Sequence, residues 1–375
     1  MADASIGLDT LPQRNSTSFP KLLQDVLKHI PKEAKDALKY HQRVAVEYLM
    51  KYPHVRGLLA YQQMGAGKSR IAVACCEWVI KNDPDKKIIF IASKSLHGNF
   101  VNEIKLYLAD LAKAQDTAPL SEAEIDKHIA QHYEFVTLTA GNMLEQVYRT
   151  KSPEEGDLFS EAFDELDEKV QKKKKLEMDY ISKLGNLDDT FVIIDEAHIF
   201  FNSVTNGSKN AVGLYHLLMN AQRIKILMMT GSPITNDPYE IAIAFNIAQG
   251  YMKEPGMNTK TTLFGEDYED FIRYFVHRAD TLDLDSSSME TKDIPSIQRR
   301  DKFSNRAFGL LSYYGTDRAE IRKLFPTQLD MIVRRVPMST PQYAAYSAAR
   351  DREMEESKRG MFKGKKKPLQ KPAGI

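Results

Sequence analysis

With 375 residues, 42% of them apolar and 27% charged, the chain can bury a core spanning one large domain, or one domain and part of a second, which argues against wholesale disorder. The formal net charge of +1 does not announce a nucleic-acid binder, although nine Lys or Arg against four Asp or Glu between Arg350 and Ile375 leave a local balance of +5. That basic end suits a phosphate backbone or a solvated tail equally well.

No apolar run reaches the roughly 18 residues needed to span a bilayer, and the start lacks the apolar core of a secretory signal. Cys75 and Cys76 are adjacent and have no zinc spacing. The expectation is an intracellular protein without a membrane partner.

Along the chain, residues 1–34 read as a lead-in, polar at first and then helical from Phe19, with a break at Ile30-Pro31. Helical periodicity continues to Lys51. Short apolar runs then alternate with helical stretches: Gly57–Tyr61, Ile88–Ala92, Phe135–Leu138, Phe191–Ile194 and Ile226–Met229. Such runs predict buried parallel strands with helices on both faces. Residues 113–132 read as a helix or surface loop, and 150–185 as a charged helical insertion outside the sheet. Residues 236–328 form a helical extension and linker, rich in aromatics that suit helix packing better than base stacking. A polar stretch follows at 281–300. A strand at Leu329–Val336 and a helix bearing Tyr343 and Tyr346 open the last part, 329–375.

The chemistry concentrates at a few strand ends. Gly65-Ala66-Gly67-Lys68-Ser69 follows one apolar run and opens a helix. Glycines allow a tight turn whose amides face phosphate, and the helix N-terminus adds its positive end. Lys68 then reaches the β- and γ-phosphates, and Ser69 offers a hydroxyl to magnesium. The match to GxxxxGK[ST] is incomplete, because position 62 is Gln.

Phe191–Ile194 runs directly into Asp195-Glu196-Ala197-His198. Asp195 is the candidate magnesium carboxylate and Glu196 the candidate for activating water. His198 either couples this site to Thr230 and Ser232, at the end of the next apolar run, or is a satisfied buried histidine.

At these residues the chain resembles superfamily 2 helicases, most closely the Snf2-like group with its DEAH form of motif II. Tyr40-His41-Gln42 resembles the adenine-reading glutamine motif. Met64-Gly65-Ala66-Gly67-Lys68-Ser69 resembles motif I, Ser93-Lys94-Ser95-Leu96 motif Ia, Thr137-Leu138-Thr139 motif Ib, and Thr230-Gly231-Ser232-Pro233 motif III. The likeness is nearest to nucleoside triphosphate phosphohydrolases and helicase-like transcription proteins of poxviruses and other large DNA viruses.

The resemblance implies a RecA-like P-loop NTPase lobe over residues 35–235, with a parallel sheet flanked by helices, and the start of a second lobe. Leu311-Ser312-Tyr313-Tyr314, Phe325-Pro326 and Val336–Ser339 resemble the entry to that lobe. It also implies ATP and magnesium as cofactors. Gln42 and Met64–Ser69 would bind nucleotide, Lys68, Asp195, Glu196 and His198 would act in catalysis, and Thr230 and Ser232 would couple. Ser93, Lys94 and Thr139 would touch the nucleic-acid backbone. DNA is the expected partner and RNA the alternative. Transcription or virion proteins would be further partners, and a viral protein would sit in the host cytoplasm or virion.

The arginine-bearing second lobe is missing from the pattern, so the chain is expected to be the ATP-binding portion of a longer motor, with weak activity alone. Two other classes stay open: a P-loop ATPase that remodels protein complexes, and a nucleotide-binding interaction module without turnover.

Overall fold

The computed structural model describes residues 19–63, 65–144, 146–147, 187–253, 260–277, 296–315 and 336–362. The chain divides into two units, residues 1–315 and 316–375. Helices α1 (Phe19–Lys28) and α2 (Tyr40–Lys51) lead into β1 (Gly57–Gln62), α3 (Lys68–Asn82), β2 (Lys87–Ala92), α4 (Lys94–Ala114), α5 (Glu122–His132) and β3 (Tyr133–Thr137). After the segment outside the described residues come β4 (Thr190–Ile194), α6 (Ala197–Thr205), α7 (Lys209–Asn220), β5 (Lys225–Thr230) and α8 (Tyr239–Gln249). The first unit closes with α9 (Tyr268–Phe275), α10 (Arg300–Ala307) and β6 (Leu311–Tyr314).

The six strands form one parallel sheet in the order β6-β1-β5-β4-β2-β3. Most of its strands read as apolar runs because each face of the sheet has its own core. Leu59, Ile89, Ile91, Val192, Ile194, Ile226 and Met228 point to one core, with Phe200, Leu214 and Ala242. Their strand neighbours Leu58, Ile88, Phe90, Phe191, Ile193, Leu227 and Met229 point to the other, with Leu49, Ile71 and Phe100. Alternation along a strand divides its side chains between the faces, and each fully buried aliphatic or aromatic contributes about 1.5–3 kcal/mol. This is the doubly wound RecA-like lobe.

The five strands read from sequence are present, each beginning or ending within a residue or two of the expected run. The aromatics of the extension pack among themselves: Phe264 contacts Phe245, Phe271, Phe275 and Phe303, and Tyr239 contacts Tyr268 and Phe271. Residues 113–132 are helical except for a connection between Ala114 and Glu122.

One assignment changes. Leu311–Tyr314, read as linker and entry to a second lobe, is the edge strand β6, in register with β1 from Leu59↔Leu311 to Gln62↔Tyr314. Buried Leu310 and a hydrogen bond from Tyr48 Oη to Gly309 O (2.7 Å) fix its approach. The expected insertion at 150–185, most of the polar stretch at 281–300 and nearly all of the strand at Leu329–Val336 lie outside the described residues. The second unit contains α11 (Thr340–Phe362), which carries Tyr343 and Tyr346.

Candidate nucleotide site

In a parallel sheet all strands finish on the same rim, so the loops after β1, β4 and β5 meet there. Because β5 lies between β1 and β4, the segments carrying Lys68, Thr230 and Asp195 are neighbours although they are far apart in sequence.

The loop after β1 turns through Gly65 (φ 79°) and Gly67 (φ 87°), both in the left-handed region that L side chains avoid. A Cβ on Gly67 would also come 2.2 Å from Gln42 Nε2 and would push that amide aside. Ala66 N donates to Gln63 O (3.1 Å), and Lys68 opens α3. Lys68 Nζ donates to the carbonyl of Gln62 (2.8 Å), and a Cβ on Gly231 would lie 3.9 Å from that nitrogen. Gln62, standing where the first loop glycine is usual, is fully buried, and its side-chain amide has no hydrogen-bond partner among the described residues. Met64 lies outside the described residues.

Gln42, buried on α2, accepts from Lys39 N (2.9 Å) through Oε1 and donates through Nε2 to the carbonyls of Gly67 (3.3 Å) and Ala66 (3.4 Å). Arg43 beside it is almost fully buried, and its guanidinium grips Asp36 and the carbonyls of Pro31 and Leu38. That clamp holds the turn from which α2 presents Gln42.

Asp195 stands at the end of β4, its amide donating to Ile91 O (2.9 Å) and its Oδ1 accepting from Glu196 N (2.9 Å). Burial raises its pKa above the usual aspartate value, with Lys68 and His198 pulling the other way. Glu196 begins α6 from a left-handed conformation (φ 46°, ψ 49°). A non-glycine residue held there costs roughly 1–3 kcal/mol.

His198 Nδ1 lies 3.0 Å from Thr230 Oγ1 and 3.3 Å from Glu196 Oε2. Thr230 is fully buried, and its hydroxyl oxygen also accepts from Ser232 N (3.0 Å). Thr230 therefore joins His198, which in turn meets Glu196, to the next loop by its side chain, whereas Ser232 enters by its backbone.

Ser93 precedes α4, with its hydroxyl 3.2 Å from that of Ser95, and Lys94 is exposed at the first turn. Thr139, also exposed, follows β3. These three share the rim but belong to its β2–β3 side, across β4 and β5 from the phosphate loop.

Two further residues, not nominated for the site from the sequence, stand beside it. The buried Glu240 carboxylate accepts from Asn202 Nδ2 (2.9 Å), Thr235 N (2.7 Å), Thr235 Oγ1 (3.1 Å) and Asp237 N (3.3 Å), tying α6 to the loop after β5. A glutamate in the first turn of a helix after a Thr-Asn-Asp-Pro turn is the signal that could have revealed it. The other is Tyr314, for which sequence offers no such signal.

The donor set fits a magnesium nucleotide: glycine-loop amides, one ammonium, one hydroxyl at Ser69 and one half-buried carboxylate at Asp195. These features define a P-loop nucleoside triphosphatase lobe. Residues 41–372 match the profile of the SNF2-related domain, and the chain belongs to that family of nucleic-acid-dependent ATPases, which use ATP with magnesium.

A protein of African swine fever virus named "Termination factor NPH-I homolog" is 30% identical, over 91% of this chain and 43% of its own length. An Acanthamoeba polyphaga mimivirus protein, provisionally named an ATP-dependent RNA helicase, is 24% identical over 84% of this chain and 47% of its own. The chain thus spans less than half the length of these viral relatives. The solved SWI2/SNF2 ATPase core of Sulfolobus solfataricus, in complex with dsDNA, aligns with 85% of this chain and 53% of its own at 14% identity, with a TM-score of 0.42.

Proposed function

We propose that this chain is the ATP-binding lobe of a motor that couples ATP hydrolysis to tracking along DNA, in transcription or genome processing of a large DNA virus. The observation that carries the reading is the meeting of Lys68, Asp195, Glu196 and the Thr230-Gly231 turn on one rim of the sheet.

In this reading the loop amides and Lys68 cradle the phosphates, and Ser69 and Asp195 hold magnesium. When bound, that ion neutralises phosphate charge. Glu196 orients the attacking water and accepts its proton as the water oxygen bonds to the γ-phosphorus and the bridging oxygen leaves with ADP. His198 and Thr230 relay the state of Glu196 to the loop after β5. Ser93, Lys94 and Thr139 hold the sugar-phosphate backbone, a contact that positions without reading sequence. Charge stabilisation from an arginine on a second lobe would complete the site, so this chain alone turns over slowly.

The test is MgATP binding and hydrolysis by the 375-residue chain, with duplex DNA, single-stranded DNA or RNA, beside Lys68→Ala. MgATP binding that the substitution removes, with slow turnover, is the expected result. Wild-type protein that binds no MgATP would sink the reading. Robust DNA-stimulated turnover would keep the motor and overturn the need for a second lobe. Salt-sensitive DNA binding lost in Lys94→Ala supports the backbone contact, and its absence removes it.

A further inference from the structure

The phosphate loop is held from a direction that the ATPase motifs do not include. His41 Nε2 lies 3.0 Å from Ala66 O, in the middle of the loop. A carbonyl only accepts, so Nε2 carries the proton; burial lowers the His41 pKa, with the Ala66 hydrogen bond pulling the other way and nearby Lys39 adding to the fall. The same ring stacks on Tyr314 of the edge strand, with centroids 3.7 Å apart and planes within 8°. Tyr314 O in turn accepts from Gln63 N (3.3 Å), and Gln63 O accepts from Ala66 N (3.1 Å). The contacts close a circuit: Tyr314 backbone, Gln63, Ala66, His41, Tyr314 ring.

Gln42 grips the same two loop carbonyls, but its hold is exchangeable. If its amide turns to a purine, Gly67 O keeps Ile71 N (3.3 Å) and Ala66 O keeps His41. His41 is therefore the lasting support of the loop, and Tyr314 is the platform that fixes the plane of its ring. Since the first loop glycine is replaced by Gln62, paired in register with Tyr314, the brace stands at the point where this loop departs from the common pattern.

We infer that His41 and Tyr314 are positioning residues that hold the phosphate loop in its binding conformation, acting on the phosphate chain and not on the base. The inference rests on the reading of this loop as an ATP site.

The test measures Kd for MgATP, and competition by magnesium tripolyphosphate, which has no base, for wild type, His41→Phe, Tyr314→Phe and Tyr314→Ala. Thermal unfolding is recorded for each. His41→Phe keeps the stack and loses the donor; it should fold, and should weaken ATP and tripolyphosphate by the same factor, about tenfold, as loss of one hydrogen bond and of loop order implies. Tyr314→Ala should do likewise, whereas Tyr314→Phe should bind as wild type.

Weaker ATP with unchanged tripolyphosphate would overturn the inference and make the pair a base platform. Unchanged binding of both by His41→Phe would overturn it outright, even if Tyr314→Ala fails to fold. Wild type that binds ATP but not tripolyphosphate would overturn it too, because a braced loop binds the phosphate chain without the base. If wild type binds no ATP, the site reading itself is what fails.

Discussion

Two lysines at opposite ends of the sheet make the same kind of contact for different ends. Lys68, on the rim after β1, donates to one carbonyl, that of Gln62 (2.8 Å), next to glycine-rich loops and a strained Glu196. Lys225, at the start of β5, donates to two carbonyls, Tyr52 and Val55 (2.6 Å each), and Arg56 beside it caps the carbonyls of Leu218 and Ile247 near the ends of α7 and α8. Burial pushes Lys225 down to about 8 and Arg56 to about 10. The cations at the base are committed to helix ends and loop carbonyls, where they satisfy acceptors that would otherwise be stranded. Among the described residues the cation on the rim donates to one carbonyl. In the proposed reading, a lysine held by a single carbonyl can leave it for phosphate at little cost, and that availability would separate a binding lysine from a structural one.

The comparison breaks first at Lys68. Lys68→Ala should lower kcat/KM for MgATP on the order of 1,000-fold, about 4 kcal/mol, while leaving the unfolding midpoint nearly unchanged. A large loss of stability would erase the distinction between the two ends. Arg56→Ala should do the reverse, costing about 3 kcal/mol in urea unfolding by leaving the carbonyls at the ends of two helices unpaired, with MgATP affinity retained.

Lys225 sharpens the contrast through pH. Its folded-state pKa lies below the ordinary 10.5, so the charged form is the disfavoured one in the fold. The resulting cost is present in full below about pH 8 and fades as pH rises from about 8 to 10.5. Relative to Lys225→Met, the wild type should gain about 3 kcal/mol of stability across that window. A flat difference between the two would show that the amine is not held in a desolvated place.

The smallest effect concerns the link on the rim. Thr230→Val keeps the shape and removes the hydroxyl between His198 and Ser232. It should slow turnover about fivefold, near 1 kcal/mol, with MgATP Kd unchanged. Equal changes in affinity and turnover would make Thr230 part of binding and not of coupling.

The amino-acid sequence alone determined what is local. Five apolar runs became five strands, four of them buried on both faces and β3 more exposed at the sheet edge, and the glycine turn before Lys68 and the Asp195-Glu196 pair were legible because strand, turn and helix onset are neighbours in the chain. Tertiary structure decided the rest. Leu311–Tyr314 alternates exposed and half-buried residues, so it carries no core-like run, and only pairing with β1 makes it a strand. Nothing local marks Arg56 and Lys225, since the carbonyls they satisfy belong to distant segments. His41 stood beside Gln42 with no sign that its ring meets Tyr314, more than 270 residues further on. Such contacts have no local period or spacing to betray them; they exist because the sheet order sets β6 against β1 and α2 packs across both.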